Sequence, residues 1–329
     1  MKHTTTAATL CGLLCISSWA TAQPSPGAAN EKWPTRPVTI IVPGPPGGSV
    51  DNPIRLLGQK LGSLIGQPVV VVNKPGSGGI IGTQSFLRAP ADGYTLLAGN
   101  VGPQAINYSA YRSLPYKAGE LKPLVGVISF PNVLVVNASS SDKSVADLVA
   151  ELKRHPQQAS FGSAGTGQTS HLMGELFKLR TGVEAVHVPY KGSAPATLAL
   201  LASETRFQFD NLTQALPHIQ SQKLRALAVT SEARVAALPH VPTMEEAGYK
   251  NMVSSAWVGI FVASAVPAGV ASQIESAVAT AMQDNELRDK LAQTGGIPSS
   301  LAGAKFAEFV QKDIDKWKEA IDSSGVKLD

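Results

Sequence analysis

The residues able to do chemistry in this chain lie where strands give way to glycine-rich turns. Val38 to Val42 reads as a buried strand emptying into Pro43-Gly44-Pro45-Pro46-Gly47-Gly48-Ser49-Val50-Asp51. A turn of that composition set before a helix presents backbone amides, and amides hold carboxylates or phosphates. Asn52 caps this helix with Pro53 as its first residue, or Ser49 caps it one turn earlier. A second stretch repeats the device: Ser160-Phe161-Gly162 meets Ser163-Ala164-Gly165-Thr166-Gly167-Gln168, with Thr169 or Ser170 as the cap of the next helix. Two further strand ends, Asn73 to Gly79 and Gly99-Asn100-Val101-Gly102, offer polar turns. Asp51 and Asp210 each follow a strand, and each either caps a turn or orients a ligand loop.

Other chemistries find little support. The sequence has no G-x-S-x-G elbow, no Walker loop and no H-E-x-x-H. His155, His171, His187, His218 and His240 lack metal-ligand spacing and read mostly as surface or loop residues, with His171 in a first helical turn. Ser163 reads as a loop hydroxyl, not a nucleophile. Lys191 either sits over a cleft or is simply solvated. Gly165-x-Gly167-x-x-Ser170 lacks the last glycine of a dinucleotide fingerprint. Binding of a small anion without metal or cofactor is the reading that remains. Its rivals are a secreted hydrolase, which would need a nucleophile and base that are missing, and a sensor module presenting the same ligand to a signalling receptor.

Strands and helices alternate along the chain, the pattern of parallel sheets covered by helices. The first series runs through strands at Val38, Val69 to Val72 (doubly buried) and Thr95 to Ala98, with a helix whose stripe is Ile54, Leu57, Leu61, Leu64 and Ile65. Two apolar runs flank Phe130-Pro131-Asn132. A second α/β series then extends to Val229, with only a helical turn near Ala215 to Ile219. A strand at Val258 to Val262 and three helices close the chain and return to the first unit. The expected architecture is α/β, with two doubly wound lobes, residues 33–128 plus 256–329 and residues 129–255, joined by two crossing segments around a cleft. Trp257 falls near a crossing.

The first 22 residues read as a secretory signal: Lys2 and His3, an apolar run from Ala7 to Ile16, then Ala20-Thr21-Ala22 before cleavage. Residues 23–32 read as a flexible leader. Cys11 and Cys15 leave with the signal, so the exported chain is without thiols, and Leu14 argues against a lipid anchor at Cys15. The formal charge of +4 is too weak to argue for nucleic acid. With 43% hydrophobic residues and no later uninterrupted apolar span, the exported chain reads as a soluble monomer in the periplasm.

A collinear set of motifs covers nearly all of the exported chain. It includes Trp33-Pro34-x-Arg36-Pro37-Val38, Gly47-Gly48-Ser49-x-Asp51, Asp92-Gly93-Tyr94-Thr95, Pro131-Asn132-Val133, Ser170-His171-Leu172, Val188-Pro189-Tyr190-Lys191-Gly192, Phe209-Asp210-Asn211 and Leu238-Pro239-x-Val241-Pro242-Thr243. These resemble the Bug (Bordetella uptake gene) family of extracytoplasmic solute receptors of tripartite tricarboxylate transporters. The resemblance implies a type II periplasmic-binding fold that closes on a small carboxylate and hands it to membrane permease subunits. It carries ligand contact over to Gly47, Gly48, Ser49 and Asp51, to Ser163, Ala164, Gly165 and Thr166, and to Asp210, with Asn100 on the same expected rim. One departure stands out. Where the family usually has an aromatic and small residues before the two glycines, this chain has Gly44-Pro45-Pro46, which stiffens the loop and alters the distal half of the pocket.

Overall fold

The computed structural model describes Met1, His3, residues 32–325 and residues 327–328. Apart from Met1, His3 and Lys32, the signal and leader lie outside the described residues. The described chain forms β1 (Val38–Val42), α1 (Asp51–Ile65), β2 (Val69–Asn73), α2 (Ile80–Leu87), β3 (Thr95–Asn100) and α3 (Asn107–Ala110). It continues with β4 (Leu121–Asn137), α4 (Val145–Arg154), β5 (Ser160–Ser163), α5 (Thr169–Thr181), β6 (Val186–Pro189), α6 (Ser193–Leu201), β7 (Phe207–Asn211), α7 (Leu212–Gln220) and β8 (Leu224–Val229). The last elements are β9 (Ser255–Ala263), α8 (Ala268–Met282), α9 (Asn285–Gln293), β10 (Ile297–Pro298) and α10 (Ala304–Ser324).

The strands run in the order β2-β1-β3-β9-β4-β7-β5-β6, with β8 and β10 also on β4. Two parallel three-stranded blocks, β2-β1-β3 and β7-β5-β6, thus flank an antiparallel centre. The centre is one strand. β4 runs 17 residues through Phe130-Pro131-Asn132, where two separate runs were expected, and it changes partner there: Pro131 faces Ser255 of β9, whereas Asn132 faces Asn211 of β7. Proline donates no ladder hydrogen bond, so the change of partner falls at a position that costs the sheet least. The returning chain is stitched to this point. Thr230 N–H donates to Asn132 O at 2.9 Å, Asn132 N–H donates to Thr230 Oγ1 at 2.9 Å, and the Thr230 hydroxyl also bonds Ser254 O.

Packing explains most helices. Ile54, Leu57 and Leu61 of α1, spaced by three and four, are fully buried with Ile274 and Val278 of α8 and Leu287 and Leu291 of α9. Leu64, expected on that stripe, is 46% exposed, because α1 ends over the edge of the sheet at Gly66 in a left-handed cap. β2 is that edge: Val70 is 48% exposed, so the strand is not doubly buried. β3 continues through Gly99 to Asn100 before a π-helical turn over Gly102–Ile106, and α7 is a nine-residue helix instead of a single turn. α8 and α9 return to the first block. α10 packs against both blocks: Trp317 and Ile321 are fully buried, and Arg180 of α5 forms a two-pronged ion pair with Glu319 at 2.7 and 2.6 Å.

Gly82 on α2 is the closest brace behind the first loop. A Cβ there would lie 2.6 Å from Pro43 Cα and 2.8 Å from Lys74 O, both backbone atoms without freedom to yield. Gly82→Ala is expected to lower stability by about 1–3 kcal/mol through overpacking, read as a lower urea midpoint at unchanged slope.

Candidate ligand cleft

The first loop is organised around one buried carboxylate. Asp51, 1% exposed, accepts Gly47 N–H at 2.8 Å, Arg55 Nε at 2.8 Å and Asn73 Nδ2 at 2.8 Å. Asn73 also donates to Gly44 O at 3.1 Å and accepts from Arg55 Nη2 at 2.8 Å. Burial alone would raise the Asp51 pKa, but the bonds from Arg55, Gly47 and Asn73 outweigh it and hold the carboxyl below its ordinary value. The expected caps are not used. α1 starts at Asp51 with Val50 at the cap and no side-chain bond, while Asn52 turns back to Gly47 O. Gly48 N–H is engaged by Pro45 O at 3.3 Å. The amides of Gly47 and Gly48 are therefore committed inside the loop, and those of Ser49 and Val50 carry no hydrogen bond among the described residues.

The second loop uses a different internal anchor to the same end. Gly167 N–H donates to His171 Nδ1 at 3.1 Å, Ala164 N–H to Ser170 Oγ at 3.0 Å and Gly165 N–H to Ser163 Oγ at 3.1 Å. α5 begins at Thr169 after Gln168, so neither Thr169 nor Ser170 is its cap; Ser170 is spent on the loop itself. Ser163 is fully buried and its Oγ lies 2.7 Å from His187 Nε2. The rings of His171 and His187 stack with centroids 3.7 Å apart, above Phe161. His171 sits in the first turn of α5 as expected, whereas His187 is a half-buried residue of β6 and not a surface or loop residue. Burial pushes the pKa of His171 down to about 3, with the neighbouring His187 adding to the effect, and burial pushes His187 down to about 4. Among the described residues, the amides of Thr166 and Thr169 have no partner.

The two loops meet across one cavity of about 580 Å³. Ser49 and Val50 line one wall, Thr166 and Thr169 the other, with Phe130 and Trp257 from β4 and β9 also in the lining. Asn100 joins the first wall; its Oδ1 accepts Gly102 N–H at 3.2 Å, and its Nδ2 has no partner among the described residues. Of the residues singled out from sequence, Ser49, Asn100 and Thr166 border this space. Gly47, Gly48, Asp51, Ser163, Ala164 and Gly165 sit behind it, and Asp210 lies elsewhere: fully buried, it accepts Thr197 Oγ1 at 2.8 Å and Asn211 N–H at 2.8 Å. Burial pushes its pKa up. The sequence reading does not single out Arg55, takes Asn73 only as the start of a polar turn and does not pair His171 with His187, although Asp51 and Arg55 stand at the i,i+4 spacing of a helical ion pair. Among the described residues no cluster of three or more His, Cys, Asp or Glu is placed to hold a metal, and no helix is long and apolar enough to cross a membrane.

Two α/β blocks with facing helix N-termini on either side of an antiparallel centre define the periplasmic-binding-protein class, and the solved structures that resemble it agree. Residues 54–326 match the tripartite tricarboxylate transporter family receptor model, and the chain belongs to that family. It is 36% identical to Protein BugT of Bordetella pertussis over 311 residues, 94% of this chain and 95% of that protein. Rpa4515 of R. palustris, solved with adipate, is 33% identical with a TM-score of 0.73, covering 90% of this chain and 99% of its own. A TctC solute binding protein from Polaromonas, solved without ligand, gives a TM-score of 0.81 at 26% identity, covering 88% of this chain and 99% of its own.

Two pH responses follow. Because Asp51 is depressed in the folded state, its stabilisation is complete above the ordinary value of 3.8 and fades as the pH falls through the lower folded value. Urea unfolding should show wild type ahead of Asp51→Asn at pH 7, with the gap closing toward pH 3. The histidines act separately: the unfolded chain takes up their protons near 6.5 while the folded chain resists until about 3 and 4, so stability drops as the pH falls across that window. The double variant His171→Asn, His187→Asn should flatten the stability profile between pH 6.5 and pH 4; an unchanged slope would remove the pair from that role.

Proposed function

We propose that this chain is the exported receptor of a tripartite tricarboxylate transporter, that it captures a small carboxylate between its two blocks, and that it delivers the ligand to the membrane subunits. The observation that carries the reading is the pair of walls formed by Ser49 and Val50 at the start of α1 and by Thr166 and Thr169 at the start of α5, facing one cavity. Unpartnered amides at two helix N-termini favour an anion over any neutral ligand. Ser49, Asn100 and Thr166 are assigned as contacts. Gly47, Gly48, Asp51, Ser163, Ala164 and Gly165 are assigned to shaping the loops, and Asp210 to fixing α6 against the start of α7. The adipate bound by Rpa4515 fits the same ligand class.

Residues 1–22 act in this proposal as a signal peptide and 23–32 as a leader, and the exported chain works as a periplasmic monomer. Residues 33–128 with 256–329 form one moving body and 129–255 the other, with the change of partner at Pro131 as the pivot. The likeness to the unliganded Polaromonas protein exceeds that to the adipate-bound Rpa4515 despite lower identity, which supports reading this structure as the open form. A ligand that bridges both walls favours the closed form by its differential affinity, and that closed form is what a membrane partner recognises. A few amide-to-carboxylate bonds, each about 1.5–3 kcal/mol, less ordering and desolvation, leave about −8 kcal/mol, a micromolar affinity.

Calorimetry with a panel of mono- and dicarboxylates tests this directly. At least one acid should bind with a dissociation constant in the micromolar range and change the fluorescence of Trp257, and Asn100→Ala should weaken it about tenfold through loss of a charge-directed donor. If no acid in the panel binds, the proposal is wrong.

A further inference from the structure

We infer that Asp313 of α10 is a positioning residue for the ligand cavity: it fixes Trp257 as the wall between that cavity and a second one, and so sets how tightly a ligand is held. The inference rests on the carboxylate reading above. The second cavity, of about 330 Å³, is bordered by β4, β9, β10 and α10. Trp257 lines both spaces, whereas Asp313 lines only the second. The indole packs against Phe261, Phe306 and Phe309, with centroids 6.0, 5.9 and 6.1 Å away. Phe306 and Phe309 themselves border the second cavity, so packing alone leaves the indole room to shift. The directional restraint is the hydrogen bond that Trp257 Nε1 donates to Asp313 Oδ2 at 2.7 Å.

A buried tryptophan needs an acceptor for its N–H, and a neutral carbonyl would serve. Here the acceptor is a carboxylate only 4% exposed, and burying a charge costs far more than burying a carbonyl. The charge is answered locally. Asp313 Oδ1 pairs with Lys316 Nζ, and Oδ2 accepts Trp317 Nε1 at 2.9 Å besides the Trp257 bond. Lys316 also donates to Val253 O at 3.0 Å, in the segment that returns from the second block. Lys316 and Trp317 stand three and four residues along the same helix, so they hold the carboxylate in place on α10. Trp257 is the distant partner, 56 residues away in sequence and on a different element. A hydrogen bond to an ionised acceptor is shorter and roughly twice as strong as a neutral one. What the buried charge adds to the fold is therefore a fixed place for the indole of Trp257.

A double-mutant cycle tests the assignment, with succinate, adipate and benzoate titrated by calorimetry into the exported chain. For the acid that wild type binds most tightly, Asp313→Asn should weaken affinity about tenfold. Trp257→Phe should weaken it too, and the double variant no further than Trp257→Phe alone, because without the indole N–H there is nothing left for Asp313 to position. Trp317→Phe is the control: it takes a bond of the same kind from the same oxygen, so it should lower the melting temperature and leave the affinity within about twofold. A melting temperature that falls in Asp313→Asn while the affinity stays at the wild-type value overturns the inference and leaves carboxylate binding intact. So does an equal loss of affinity from Asp313→Asn with and without Trp257→Phe. A measurement on the unmutated chain covers the case in which Asp313→Asn does not fold. With 5-fluorotryptophan incorporated, the fluorine resonance of Trp257, assigned by its loss in Trp257→Phe, should be one narrow line that moves when the acid binds. A split Trp257 line, or one that the acid leaves in place, overturns the inference. Failure of all three acids to bind overturns the carboxylate reading and the positioning role with it.

Discussion

Everything in this fold serves one electrostatic constraint: a few backbone amides from two separate parts of the chain must stay unsatisfied by protein while facing the same gap. Exposed amides in a glycine-rich loop would ordinarily collapse onto the nearest carbonyl, because an orphaned donor costs free energy comparable to a lost hydrogen bond. The structure avoids that collapse by satisfying the neighbours of those amides from behind. On one side Asp51 takes up Gly47 and is itself locked by Arg55 and Asn73. On the other, His171, Ser170 and Ser163 take up Gly167, Ala164 and Gly165. With those amides anchored, each loop is left with little freedom, and Ser49 and Thr166 remain turned to the cavity.

The two anchors differ in chemistry, and the difference matters. A carboxylate behind the first loop is held charged by its partners, whereas the imidazoles behind the second are held neutral by burial. A charged imidazole would lose the acceptor lone pair that Gly167 uses, so neutrality is part of the geometry and not a by-product of it. Both anchors hold at neutral pH. Placing one negative charge behind the first loop is tolerable because Arg55 answers it directly; beside the second anchor the Glu175 carboxylate, 3.9 Å from His171 Nε2, is answered in the same way by Lys178 at 2.8 Å.

How much of this could be read from the residues alone follows from which interactions are local. The strand-turn-helix order, the glycine-rich loops and the apolar stripe of Ile54, Leu57 and Leu61 are written in short-range periodicity, and they carried the fold class. What periodicity does not record is where a strand lies in its sheet. Val69 to Val72 looks doubly buried until the sheet makes β2 an edge, and Pro131 looks like a break until the partner change from β9 to β7 shows one strand running through it. The caps failed for a related reason. Ser170 and Asn52 have the right side chains in the right places, but the loops claim both, since an anchored loop contributes more than a capped helix already tied down by tertiary contacts. His171 and His187 are 16 residues apart on different elements, and only the parallel register of β5 with β6 brings Ser163 beside them.

The same distinction between local and assembled features bears on the ligand. Gly44-Pro45-Pro46 stands where the family usually places an aromatic, and Gly44 and Pro45 line the cavity without filling it. The aromatic surface in the lining comes instead from Phe130 and Trp257, buried in β4 and β9 with little freedom to close down on a small ligand, and from the half-buried Tyr111 in the turn after α3. Size selection must then come from the loops. Phe130 and Ser49 border both this cavity and its neighbour, so the first loop shapes the two spaces together through Ser49.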